Sequence, residues 1–177
     1  MIIDLRRISQ ESKTFTFVLK EGWWEPKDPS DQILSLDGPL KVVVTLYSAG
    51  DKYVMDGRLR GGLKVRCDRC LESHHRDIQT EFQTYLALPP PGSQEESDVE
   101  LTEEDMDVDF IRGEEIDLTG IIREQIYLSL PMKVLCSAEC KGLCPRCGKN
   151  LNEEICCCLR ETGHPAFLKL NQLKIQP

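Results

Sequence analysis

No stretch of this 177-residue chain approaches the roughly 20 consecutive apolar residues that a membrane-spanning helix requires. The opening Met1-Ile-Ile-Asp-Leu-Arg-Arg7 lacks the basic-then-apolar order of an export signal. There is no phosphate-binding glycine loop, no Gly-x-Ser-x-Gly and no His-Glu-x-x-His, so an enzyme is the weaker expectation. Histidine occurs three times, and His74, His75 and His164 are read as solvated surface residues rather than ligands. No internal repeat stands out beyond the cysteine pairs.

Basic residues are the minority, 22 against 30 acids, for a net charge of −8. That balance looks hostile to nucleic acid, but it is unevenly spread. Gln94 to Asp117 holds 12 acids and one arginine, a net of −11, which leaves +3 on the rest of the chain. A basic face is therefore not excluded. The acidic run itself reads as a solvated loop, with an electrostatic mimic of nucleic acid or a docking strip for a basic partner as the alternative.

Cysteine is what the chain has in plenty. Seven of nine lie between Cys136 and Cys158, and the other two form Cys67-Asp-Arg-Cys70 far upstream. A two-residue gap lets both sulfurs of a pair turn onto one tetrahedral ion. In Cys144-Pro-Arg-Cys147-Gly148 the proline tightens the turn and the glycine can take the positive φ that a zinc knuckle often needs. Several pairs in a chain without an export signal point to metal in a reducing, cytoplasmic compartment. Eight cysteines make two tetrahedral sites: Cys67, Cys70, Cys136 and Cys140 in one, Cys144, Cys147, Cys156 and Cys158 in the other. Two rival assignments stand beside this one. Cys157 replaces Cys156 or Cys158, or Cys136 and Cys140 join the C-terminal ribbon and leave Cys67 and Cys70 free. One or two structural zinc ions are the expected cofactor, and four thiolates per ion leave no position for water.

Strands are expected at Ile2–Leu5 and Thr14–Leu19, over Lys41–Tyr47, from Tyr53 towards Arg66, and loosely over Ile78–Leu88. Ser48–Asp51 reads as a hairpin turn, and Cys67 and Cys70 fall at a second hairpin tip. Of the adjacent Trp23 and Trp24, one should be buried and one partly exposed. Leu118, Ile122, Ile126 and Leu130 recur every four residues behind Asp117, an N-cap candidate, so a helix is expected over 117–130, stopped by Pro131. A short helix is expected over His164–Leu173 behind Pro165. The fold class is thus α+β: an antiparallel sheet or partial barrel, one packed helix and a C-terminal zinc-ribbon-like segment. Residues 1–132 form the β unit with an acidic loop (93–117), and 133–177 form the cysteine-rich segment.

A modest nucleic-acid footprint lies on the hairpin that carries the first cysteine pair. Arg58, Arg60, Lys64, Arg66 and Arg69 outnumber its acids, and they suit phosphate-backbone contact better than base readout. The ordinary alternative is a charged outer face of a sheet.

Cys67-Asp-Arg-Cys70-Leu71, Glu115-Ile-Asp-Leu-Thr119, Ile126-Tyr-Leu-Ser-Leu-Pro131 and Cys140-Lys-Gly-Leu-Cys144-Pro-Arg-Cys147-Gly-Lys-Asn-Leu151-Asn152 together resemble the YceD family of large ribosomal RNA subunit accumulation proteins. The resemblance spans nearly the whole chain. It implies a non-catalytic ribosome-biogenesis factor that promotes accumulation of large-subunit (23S) ribosomal RNA. The implied partners are that RNA, its precursor particle or a ribosomal protein, with no membrane. The family's closing Cys-x-Cys matches Cys156 and Cys158, and Cys157 is an addition. A thiol-redox or metal-sensing protein working through Cys67 and Cys70 is the alternative.

Overall fold

The chain is described here by a computed structural model covering residues 1–8, 11–88, 108–111 and 113–158. Strict alternation builds its central strands. In β4 (Leu40–Ala49) the side chains of Leu40, Val42, Val44 and Leu46 are wholly buried on one face, while Lys41, Val43 and Thr45 between them point the other way. β5 (Lys52–Arg66) and β6 (Ser73–Ala87) are both 15 residues long and pair antiparallel along their whole length. β2 (Lys13–Leu19) pairs with β4, and β3 (Ile33–Leu36) pairs with the far half of β5. β5 therefore has β4 and β3 end to end along one edge and β6 along the other. Gly61 and Gly62 do not interrupt it.

The sheet is mixed. β7 (Val108–Phe110) joins β6 in parallel, opposite Tyr85 to Ala87. β8 (Glu115–Asp117) makes a separate two-stranded ladder with β1 (Ile2–Asp4). Both short strands fall inside the stretch expected to be a loop over 93–117. Their backbones find partners on β6 and β1, and local charge does not outweigh those ladders. The rest of the acidic run, from Gln94 to Asp107, and the helix expected at His164–Leu173 lie outside the described residues.

One helix, α1 (Leu118–Leu128), follows β8 directly. Asp117 caps it: Oδ1 accepts from the Thr119 amide at 3.0 Å and from its hydroxyl at 2.7 Å. Those bonds hold the Asp117 carboxyl down at about 2. At 11 residues the helix would be marginal alone. Leu118, Ile122 and Ile126 are buried in the main core, each contributing about 1.5–3 kcal/mol against about 1 kcal/mol for the cap. Packing on the sheet, not propensity, holds it. A polar clamp fixes its other side. The Arg123 guanidinium lies 4.3 Å over the ring of buried Trp24 and donates to the Glu25 carbonyl, and the Tyr127 hydroxyl donates to Asp31. Trp23 is only half-buried, as the pairing of two adjacent tryptophans demanded.

Glycine matters along β5, since a Cβ at Gly61 would lie 2.9 Å from the Leu40 Cα and one at Gly62 would lie 2.5 Å from the Asp37 carbonyl oxygen. A Cβ at Gly57 would overlap the Phe82 ring, which lies across the strand there. The ring covers the gap in β5 and keeps the core continuous.

Candidate metal centres

The tip joining β5 to β6 is the first knuckle. Its turn is closed by the Leu71 amide donating to the Cys67 carbonyl at 3.0 Å and the Cys67 amide donating to Glu72 at 2.9 Å. Leu71 takes a left-handed φ of 62°, and Gly148 takes 72° at the matching place in Cys144-Pro-Arg-Cys147-Gly148. There the Gly148 amide donates to the Cys144 carbonyl at 2.9 Å. The two turns share one geometry, at higher conformational cost for leucine than for glycine.

Cys136 and Cys140 reach the first knuckle because Asp68 fetches them. Its Oδ2 accepts from the Val134 amide at 2.6 Å, and its own amide donates to the Val134 carbonyl at 2.8 Å. Its other oxygen accepts from Gln32 at 2.8 Å. Val134 is fully buried just past the end of α1. Pro131 has ended the helix, so the chain turns straight onto the knuckle.

The structure brings the sulfurs of Cys67, Cys70, Cys136 and Cys140 within 4.8 Å of one another, and likewise those of Cys144, Cys147, Cys156 and Cys158. Cys70 and Cys136 are 3.6 Å apart, Cys67 and Cys140 3.8 Å, Cys147 and Cys156 3.5 Å, and Cys144 and Cys156 3.3 Å. Either group could hold a metal ion. Cys157 is exposed and belongs to neither.

Within each group the thiols divide into ones held low and ones pushed high. Burial pushes the Cys67 thiol up, but the amides of Cys70, Arg69 and Cys136 outweigh it and bring it to about 6. The amides of Cys147 and Arg146 draw Cys144 to about 6 as well. Burial and the neighbouring sulfurs push Cys70 up to about 12, and the neighbours Cys156 and Cys147 do the same to Cys158. Four crowded sulfurs without a counter-ion share their protons in this way.

One strip of chain ties the two centres together. The Arg69 guanidinium donates to the Cys140 carbonyl at 2.8 Å, and the Leu143 amide donates to the Arg69 carbonyl at 3.0 Å. From the other side, Asn152 donates to the Cys140 sulfur at 3.3 Å while its oxygen accepts from the Lys141 amide at 2.7 Å. Sequence reasoning counted Asp68 only as an acid offsetting the basic hairpin and gave Asn152 no role. The signal available was their setting: a short polar side chain inside or just after a cysteine pair can reach a sulfur or the backbone of the next segment.

Arg58, Arg60, Lys64 and Arg66 all sit on the face of β5 turned away from the core. Arg58 pairs with Glu81 at 3.2 Å, and Arg66 donates to the Pro29 carbonyl. Arg69 is turned to the first centre instead. Neither described histidine sits in a centre. His75 is exposed and bridges Asp37 (2.6 Å) and Asp77 (3.2 Å), which raises its pKa. His74 differs from the surface expectation: both ring nitrogens are shut from solvent without a partner.

A mixed sheet with one tetracysteine group at its β5–β6 tip and a second in the adjoining C-terminal segment defines a cysteine-rich, sheet-based protein. By sequence comparison the chain belongs to the YceD family, whose model, described as "Large ribosomal RNA subunit accumulation protein YceD", matches residues 55–174. That span runs from within β5 through α1 and both centres, and β1 to β4 precede it. A chloroplastic YCED homolog 1 of Arabidopsis thaliana is 28% identical over 158 residues, covering 78% of this chain and 49% of that protein. This chain thus spans about half the length of that relative. An uncharacterized protein of Mycobacterium bovis is 26% identical over 87% of this chain and 72% of its own length. The YceD protein of Haemophilus influenzae is 26% identical over 62% of this chain and 61% of its own. No solved structure matches the chain. Among the described residues no helix is long and apolar enough to cross a membrane.

Proposed function

We propose that this chain is a non-catalytic ribosome-biogenesis factor that promotes accumulation of large-subunit ribosomal RNA by binding that RNA or its precursor particle. The observation that carries the reading is the closed character of both cysteine centres. Four sulfurs converge in each group, and in the first centre Cys67, Cys70 and Cys140 are buried while Cys136 lies at the surface. Zinc is the ion this donor set fits. Zn–S bonds of about 2.3 Å give tetrahedron edges of about 3.8 Å, against 3.3–3.8 Å for the closest sulfur pairs. An ion held so has no open position to activate water, so its contribution is structural. It would be bound by Cys67, Cys70, Cys136 and Cys140 in one centre and by Cys144, Cys147, Cys156 and Cys158 in the other. The family description supports the link to large-subunit RNA, and the basic row on β5 supplies a surface for phosphates.

The test is sedimentation of the tagged full chain with ribosomal particles from growing cells, with the RNA of each fraction identified. Co-migration with large-subunit precursors is expected, and free protein in every fraction overturns the reading. A thiol-redox role through Cys67 and Cys70 is the alternative reading. Rapid alkylation of Cys67 in the native, zinc-replete protein would support that role. Protection supports the scaffold.

A further inference from the structure

We infer that the open face of the sheet is a platform for single-stranded RNA, in which Lys41 and Arg60 hold phosphate and Tyr85 stacks a base. This rests on the proposed function and names the surface that would serve it.

The first observation is a like-charge pair. Lys41 on β4 is the direct cross-strand partner of Arg60 on β5. Both are exposed, and neither has an ion pair among the described residues. Like charges directly opposite each other destabilise a sheet, so a pair kept there gains from an anion. Arg58, two residues along the same face, is already engaged by Glu81. Lys41 lies outside the hairpin that sequence reading singled out, and only the β4–β5 register places it beside Arg60.

The second observation is the shape of the face. A groove of about 320 Å³ lined by Lys41, Arg60 and Gln79 runs into one of about 470 Å³ lined by Thr45, Asp56 and Gln83. Val43, Arg58 and Glu81 line both, so the trough is continuous. Beyond its wider end lies Tyr85. Its hydroxyl donates to Gln83 at 2.9 Å, and Gln83 donates to Asp56 at 2.8 Å. That chain anchors the phenol along its own strand, with 38% of the residue exposed. A ring fixed in this way presents a stacking face at little entropic cost.

The chemistry selects the occupant. Shallow grooves with an exposed ring suit splayed nucleotides, whereas an A-form duplex keeps its bases stacked inside. Asp56 and Glu81, bonded to Gln83 and Arg58, keep further acceptor capacity for hydroxyl or amino donors, which ribose 2′-hydroxyls and base edges provide. An acidic peptide would bring carboxylates alone to them.

The test is fluorescence anisotropy of the zinc-replete full chain with a labelled single-stranded RNA of about 16 nucleotides, its duplex and the same DNA strand, over a salt series. Single-stranded RNA is expected to bind best. The variant Lys41→Gln/Arg60→Gln should weaken it and lower the slope of log K against log salt by about 1.4, two contacts at about 0.7 each. Tyr85→Leu should weaken it by about fivefold or more with the slope unchanged. Lys27→Gln/Lys133→Gln, on exposed loops, should leave the slope unchanged. An unchanged slope in the Lys41/Arg60 variant, equal binding of the duplex, or displacement by poly-glutamate as readily as by RNA overturns the inference. Sedimentation separates this failure from that of the function. Wild-type and Lys41/Arg60 variant chains that co-migrate equally with large-subunit precursors sink the platform and leave the assembly role standing. No co-migration by the wild type sinks both.

Discussion

The two cysteine centres use the same knuckle and the same donor set, yet they do different work. The first joins Cys67 and Cys70 to residues 66 and 73 positions away in sequence, and Cys67, Cys70 and Cys140 are buried. The second is drawn from a single short segment, with Cys144 and Cys156 12 residues apart and Cys147 exposed. Closing a 66-residue loop costs the unfolded chain about 1.5 kcal/mol more entropy than closing a 12-residue one, so an ion in the first centre stabilises the fold by that much more. Such an ion would staple the C-terminal segment to the sheet, whereas one in the second would only shape a local turn. Position in the topology, not ligand chemistry, sets what a centre is worth.

Breaking the staple gives the largest expected effect. Cys70→Ser should remove one metal ion per chain and destabilise the protein by on the order of 5 kcal/mol, read by metal content and denaturant unfolding. Cys147→Ser should remove the other ion at a much smaller cost. Equal costs would erase the distinction.

Chelation sharpens the same contrast in time. With a competing chelator, release should be biphasic, the exposed second centre emptying first. A chromogenic zinc indicator follows both phases, and a slower second centre would contradict the burial argument.

Asp68→Ala attacks the staple without touching a ligand. It leaves the buried Val134 amide unsatisfied and should cost about 1–3 kcal/mol, with two metals retained. Asn152→Ala crosses between the centres. The side chain comes from the second segment but donates to the Cys140 sulfur, so the first centre should lose about tenfold in affinity. Cobalt titration, followed by its absorption bands, distinguishes that from a change at the second centre.

The smallest effect is a control on the ladder just behind the hairpin tip, where His75 pairs with Lys64. His75 gains protons from its bridge to Asp37 and Asp77, so its folded pKa lies above its unfolded one. Its contribution is fully present below about 6.5 and is lost as pH rises through the folded value. His75→Gln should flatten that slight fall in melting temperature between about pH 6 and 8 and alter neither metal. A shift in metal content would mean that the His75 bridge and the centres are coupled.

Much of this arrangement was legible in the residues. The alternation of β4, the apolar repeat of Leu118, Ile122 and Ile126, and the positive-φ glycine after Cys147 are local signals, and the elements appear where those signals lie. The pairing of the cysteines into these two groups could be reasoned but had rivals, because spacing alone cannot show which distant pair meets which. The parallel strand β7 was missed because a three-residue strand in an acidic run has no signal of its own. Asp68 and Asn152 were missed because their partners are another segment's amide and a sulfur 12 residues away.

The sequence by itself determined the parts: amphipathic strands and helix from hydrophobic period, knuckle turns from two-residue gaps, and a cysteine set suited to metal from thiol chemistry. Tertiary structure alone decided the joins. Which knuckle receives Cys136 and Cys140 depends on Asp68 reaching Val134, and which cation stands beside Arg60 depends on the register of β4 on β5. The reason is physical. Periodicity and turn chemistry act over a few residues, but register and loop closure are settled by the packing of segments far apart in the chain.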